Sequence, residues 1–165
     1  DNEIWGRTSC AGSTPSNVQE REVLVNFYNV MGGRNWKEDE NWLSLDVGVC
    51  FWFGVDCTAE GKVSSIILRD NGLSSTGGVF PQDIFLLSEL RNLNLNSNAI
   101  PFSFQGIGAA AKLETLNLAA MGLTSGALAD IGQLSELPTL KFLSLASNGL
   151  AGNIPSPIYS LSSLE

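Results

Sequence analysis

The sequence predicts an α/β solenoid: a right-handed coil whose turns lay short strands side by side as a parallel sheet on a concave face, preceded by a helical cap. Three observations predict it. Leucine is segregated, with 20 of 23 leucines lying after residue 62. A five-position pattern of apolar residues and Asn recurs four times, its starts 27, 23 and 27 residues apart, which is the spacing of stacked repeats. Ahead of it runs a segment with apolar residues at helical spacing, Pro at its start and Gly-Gly at its end.

The four copies are Val63, Ile66, Leu68, Asn71, Leu73; Leu90, Leu93, Leu95, Asn98, Ile100; Leu113, Leu116, Leu118, Met121, Leu123; and Leu140, Leu143, Leu145, Asn148, Leu150. Within each copy two apolar residues alternate with polar ones at period two, so each supplies a short strand with one buried face. The chain must then turn and return for the next strand to stack beside it. Asn71, Asn98 and Asn148 stand at that turn, where a carboxamide satisfies backbone groups that stacking would otherwise bury unpaired. Met121 takes the same place without a donor, which predicts a loosened third coil.

In the cap, Thr14 reads as a helix N-cap and Pro15 as the first helical residue. Val23, Leu24, Phe27, Tyr28 and Met31 form the apolar stripe, and Gly32-Gly33 end the helix. That stripe would cover the front of the repeat core. The reading divides the chain into a flexible leader (1–13), an N-terminal cap (14–62) and repeats (63–165).

At 165 residues one architecture accounts for nearly the whole chain. Hydrophobic residues at 44% against 16% charged exclude a disordered polar chain. With 9 Lys+Arg, 17 Asp+Glu and a net charge of -8, a phosphate backbone is repelled, so no nucleic acid partner is expected. The absence of His removes every Ser/His and Cys/His catalytic scheme. Glu38, Asp39 and Glu40 read as a solvated turn. No enzyme activity, cofactor or metal is expected. Apolar runs such as Ile84 to Leu87 are far too short to cross a bilayer, so no membrane insertion by this segment is expected.

The first and fourth copies continue as Gly78, Phe80, Pro81, Ile84, Leu87 and Gly152, Ile154, Pro155, Ile158, Leu161. This continuation resembles the plant-type leucine-rich repeat of receptor ectodomains and polygalacturonase-inhibiting proteins. Trp36, Trp42 and the run Cys50-Phe51-Trp52-Phe53-Gly54-Val55-Asp56-Cys57 resemble the N-terminal cap of the same family. The resemblance implies a disulfide between Cys50 and Cys57, contributing roughly 2–3 kcal/mol for so short a loop. It also implies an oxidising, extracytoplasmic location, secreted or cell-surface. Taken alone, the two residues leave free thiols open; zinc would need four donors, which three cysteines without His do not supply. Cys10 is then the odd cysteine, free or joined to a partner. Trp36, Trp42, Phe51, Trp52 and Phe53 read as cap core, with an aromatic ligand platform as the alternative.

The resemblance further implies a non-enzymatic module that binds another protein or peptide on the concave sheet. Candidate binding residues there are Arg69, Arg91, Asn94, Glu114, Asn117, Lys141 and Phe142, with Phe142, Arg69 and Arg91 as the energetic anchors. Four strands of five residues give on the order of 250 Å², against about 800 Å² per partner in a standard interface. A partner would therefore also touch the cap, the Phe102 to Gln105 loop or the Ser74 to Gly78 loop. Two other readings stand beside this one: a structural subunit of a larger complex, and an inhibitor of a cell-wall hydrolase. Leu164 opens a fifth copy, which predicts either a longer chain or a last coil docked on something. The chain contains no N-x-[ST] sequon, which points toward an organelle lumen or another non-glycosylating exterior.

Overall fold

The computed structural model describes residues 15–75 and 77–165. The expectations for the leader, Thr14 and Cys10 lie outside the described residues. Helix α1 spans Pro15–Val30. Its stripe is buried as spaced, with Leu24, Phe27 and the following Met31 wholly enclosed. Gly32 ends it in the left-handed region at φ 68, where a side chain would be strained. A Cβ on Gly33 would run into the Tyr28 ring. Buried Glu20 on α1 accepts the Val63 N–H at 3.1 Å, tying the helix to the start of the first coil.

Five strands follow in chain order: β1 (Val55–Cys57), β2 (Val63–Ile67), β3 (Asn92–Asn94), β4 (Thr115–Asn117) and β5 (Phe142–Ser144). They form one sheet in the order β1-β2-β3-β4-β5. From β2 onward the pairing is parallel and in register, aligning Ser65, Asn92, Thr115 and Phe142. Strand β1 pairs antiparallel with β2; no strand was expected before Val63, because three residues are too few for a period-two pattern to show. Gly54, at φ 75, turns the chain into β1, and a Cβ there would strike the Ile67 carbonyl. The disulfide between Cys50 and Cys57 closes this turn, with the Cα atoms 5.5 Å apart.

The coils cover 63–89, 90–112, 113–139 and 140–163, and their pattern leucines point inward. Val63, Ile66, Leu68, Leu90, Leu93, Leu95, Leu113, Leu116, Leu118 and Leu140 are fully buried. In the fourth coil Leu143, Leu145 and Leu150 are only half-buried. On the return path each coil makes 3-10 turns: Gln82–Leu86, Ile107–Ala109, Ile131–Glu136 and Ser156–Ser160 among them. Under them runs a file of phenylalanines. Phe80 meets Phe27, Phe85 and Phe102 at ring centroids of 6.2, 5.8 and 4.6 Å, and Phe102 meets Phe104 at 5.1 Å. Phe102 and Phe104 are thus core. The Phe102 to Gln105 loop that was expected to meet a partner turns only Ser103 and Gln105 outward.

The Asn positions form a ladder. Asn98 Oδ1 accepts the N–H groups of Asn71 and Leu73 at 3.1 and 3.0 Å, and its Nδ2 donates to the carbonyls of Leu68 and Leu95 at 2.7 and 2.9 Å. Asn148 does the same for Met121 and Leu123, at 2.9 and 3.1 Å. Asn71 ties the first coil to the cap through the backbone of Glu38. Residues before the ladder position, Asp70, Ser97, Ala120 and Ser147, all adopt positive φ. At Met121 the ladder stops. The Ile100 N–H turns back on the Asn98 carbonyl at 3.0 Å, and no side-chain acceptor meets the Asn98 N–H among the described residues. Met121→Asn should raise stability by about 1 kcal/mol, the net scale of a hydrogen bond; an unchanged or lower melting temperature would contradict this.

Candidate recognition surface

The inward leucines force the residues between them outward, so the concave face is a grid of four columns. The first holds Ser64, Arg91, Glu114 and Lys141. Arg91 Nη1 lies 2.7 Å from Glu114 Oε1, and Lys141 Nζ lies 2.8 Å from Glu114 Oε2. Beside them Glu89 pairs with Lys112 at 2.6 Å and with Arg91 at 3.9 Å. Three of the candidate residues are therefore consecutive members of one ion-pair row running across the coils. Glu89 and Lys112 were not anticipated, although each directly precedes the opening leucine of its coil. Hydrogen bonds from Lys141 and then Arg91 hold the Glu114 carboxyl below the usual glutamate range, and Glu114 in turn raises the Lys141 ammonium.

The sign of the resulting pH effect follows from linkage. A carboxyl whose folded-state pKa is depressed contributes stability that is present above its unfolded value and is lost as pH falls through the folded value. Glu114→Gln should therefore flatten the acid limb of the stability curve just below the usual glutamate range, as read by denaturant midpoints across pH. An unaltered acid limb would contradict it.

The middle columns are neutral. Asn92 Nδ2 donates to Ser65 Oγ at 3.3 Å. Asn94 and Asn117 use their Oδ1 atoms to accept the N–H groups of Asn96 and Ala119, each at 3.2 Å, and no protein acceptor engages their NH₂ groups among the described residues. Two oxygens, Asn92 Oδ1 and Asn96 Oδ1, are shielded from water yet have no donor. Such an atom is costly to bury unpaired. Phe142, in line with Thr115, is 49% exposed. Arg69 is exposed in the fourth column beside Asn96 and has no carboxylate partner among the described residues. The grid thus offers carboxamides, one aromatic face and one unpaired guanidinium. That chemistry suits binding.

The cap aromatics divide. Trp36, Trp42 and Trp52 are buried, Trp42 lying 5.0 and 4.9 Å from the other two by ring centroid. Phe51 and Phe53, expected in the same core, are 71% and 38% exposed. The 3-10 turn Val49–Phe51, with three residues per turn, puts Val49 and Trp52 on one buried face and turns Phe51 outward. Arg21 covers the Trp52 ring at 4.9 Å and donates to the Ser44 carbonyl at 2.8 Å. Among the described residues no helix is long and apolar enough to cross a membrane.

Comparison with known proteins agrees with this geometry. The family described as Leucine Rich Repeat matches residues 139–161. The chain is 27% identical over 150 residues to Serine/threonine-protein kinase BRI1-like 1 of Arabidopsis thaliana, covering 89% of this chain and 12% of that protein. It is 31% identical over 171 residues to Receptor protein-tyrosine kinase CEPR1 of the same plant, covering 99% of this chain and 16% of the relative. The chain therefore spans a small fraction of these relatives. The Arabidopsis receptor kinase HAESA, solved with the peptide hormone IDA and the co-receptor SERK1, superposes with a TM-score of 0.73 at 27% identity, covering 89% of this chain and 24% of that one.

Proposed function

This chain is a leucine-rich repeat protein, and from that premise we propose that its described coils are a recognition module that acts by binding, not catalysis, in an extracytoplasmic space. The partner is a protein or an extended peptide lying across strands β2 to β5. The observation that carries this reading is that the outward grid leaves an exposed Arg69 without a carboxylate partner among the described residues and Phe142 half-exposed, instead of engaging them within the protein. Asn94 and Asn117 add carboxamide NH₂ groups that no protein acceptor engages among the described residues. Glu114, Arg91 and Lys141 form the charged border, where mutual pairing spends most of their reach, so Arg69 and Phe142 are the principal anchors. The disulfide supports an oxidising location, and we place the chain at the cell surface or outside it. The segmentation into cap (14–62) and repeats (63–165) is part of the same proposal. The likeness to HAESA supports the reading, since that receptor was solved with a peptide and a co-receptor.

Phe142→Ala and Arg69→Ala should each weaken capture of the native partner by about 1 kcal/mol or more while leaving the melting temperature unchanged. Full affinity in both variants would remove the concave face from the proposal.

A further inference from the structure

We propose that the flank between the second and third coils is a built-in opening unit, at which residues 98–103 and 120–127 separate from one another while the concave sheet stays paired. Four features meet at this seam and at no other among the described coils. The first is the missing ladder rung. Asn98 ties the first coil to the second and Asn148 ties the third to the fourth, through Nδ2 bonds of 2.7 and 2.8 Å to the carbonyls of Leu68 and Leu118. Met121 offers no equivalent bond from the third coil back to the second.

The second feature is a lost bridge. Thr124 and Gly149 form a parallel bridge between the third and fourth coils on this same flank. Thr124 stands eleven residues after its opening Leu113, and the residue eleven after Leu90 is Pro101. Proline has no N–H to give, and no bridge joins Pro101 to Gly122, the counterpart of Gly149; the first seam also lacks this bridge, but there the Ser74 N–H is taken by the Met31 carbonyl at 3.1 Å. The third is a cavity of about 390 Å³ opening between the coils, walled by Ile100, Pro101 and Phe102 on one side and Gly122, Leu123 and Thr124 on the other. The fourth is Ala120, held at φ 52. At the matching positions Asp70, Ser97 and Ser147 carry polar side chains of the kind that tolerate this region; alanine has none.

The rest of the seam is tied. Strands β3 and β4 are paired, Leu95 and Ser97 donate to the carbonyls of Asn117 and Ala119 at 3.0 and 2.8 Å, and Arg91–Glu114 and Lys112–Glu89 cross on the concave border at 2.7 and 2.6 Å. Away from the sheet two exposed bonds span it, from the Gly106 N–H to Gln133 Oε1 at 2.8 Å and from Thr139 Oγ1 to the Ala111 carbonyl at 3.0 Å. A stack held along its sheet and loose along one flank opens by tilting about the sheet. The third and fourth coils tilt as one body, because Asn148 and the Thr124–Gly149 bridge join them, and the curvature of the concave face changes with the tilt. Local openings of this kind lie well below global unfolding in free energy.

Hydrogen exchange of the intact chain, resolved to single amides, tests this against internal controls. The amides of Asn98 and Ile100, which no side-chain oxygen holds, should exchange at least about fivefold faster than Asn71 and Leu73 and than Met121 and Leu123, which Asn98 and Asn148 hold. A factor of five corresponds to about 1 kcal/mol, one net hydrogen bond. Met121→Asn should slow Asn98 and Ile100 by a similar factor and leave Asn71 and Leu73 unchanged; Pro101→Thr, which restores the donor, should slow the Gly122 to Thr124 amides. Equal protection at all three ladder positions in the native chain would overturn the proposal. So would slowing that spreads evenly over every coil.

Discussion

Phe80→Ala is expected to lower stability by about 3–5 kcal/mol, the range for truncating a fully enclosed phenylalanine. The side chain is 2% exposed and joins parts of the molecule that are far apart in sequence. Its ring meets Phe27 of α1, Phe85 of its own coil and Phe102 of the next. Removing it leaves a void where cap, first coil and second coil converge, and none of the three can close it without losing contact with the others. Urea denaturation followed by tryptophan fluorescence reads this well, because Trp36 lies against Phe27 at 6.1 Å. A loss under about 1 kcal/mol would show that the cap and coils do not share one core.

Asn98→Ala should cost about 3 kcal/mol or more. The side chain is 2% exposed and satisfies two amides and two carbonyls across two coils. Alanine leaves them buried, and each group stranded without a partner carries a penalty on the order of 1 kcal/mol or above. Asn148→Ala makes the comparison informative: the bonds are equivalent, but the side chain is half-buried and water can replace it, so the loss should be clearly smaller. Equal losses at the two positions would mean that burial does not set the worth of these bonds.

These two residues mark how far the sequence could be read. Asn98 was legible, because Asn recurs at one phase of a leucine frame and a coil must satisfy its buried turn. The inward leucines were legible for the same reason, as was the helix with its terminal glycines. The file of phenylalanines was only half-visible: Phe80 sits at a repeat position, whereas Phe102 and Phe104 lie between frames, where period alone does not tell inside from outside. Phe51 and Phe53 misled because an aromatic run around a cysteine pair reads as core, yet a 3-10 turn repeats every three residues, so Val49 and Trp52 share its buried face and Phe51 falls off it. The short strand Val55–Cys57 left no pattern at all. On the concave face the outward positions could be counted off, but their pairing could not. Glu114 lies midway between Arg91 and Lys141 only because the coils stack in register, so a row of engaged charges looked like separate anchors. The unpaired oxygens of Asn92 and Asn96 depend on side-chain orientation and leave no trace in residue order.

The most direct test of the account is a hydrogen-exchange footprint of the native partner on the intact chain. Protection should fall on the concave positions 65–69, 92–96, 115–119 and 142–146, with Arg69, Asn96 and Phe142 inside its borders. Protection confined to the return-path turns at 82–86, 107–109 and 131–136, with the four strands exchanging as they do in the free chain, would contradict it.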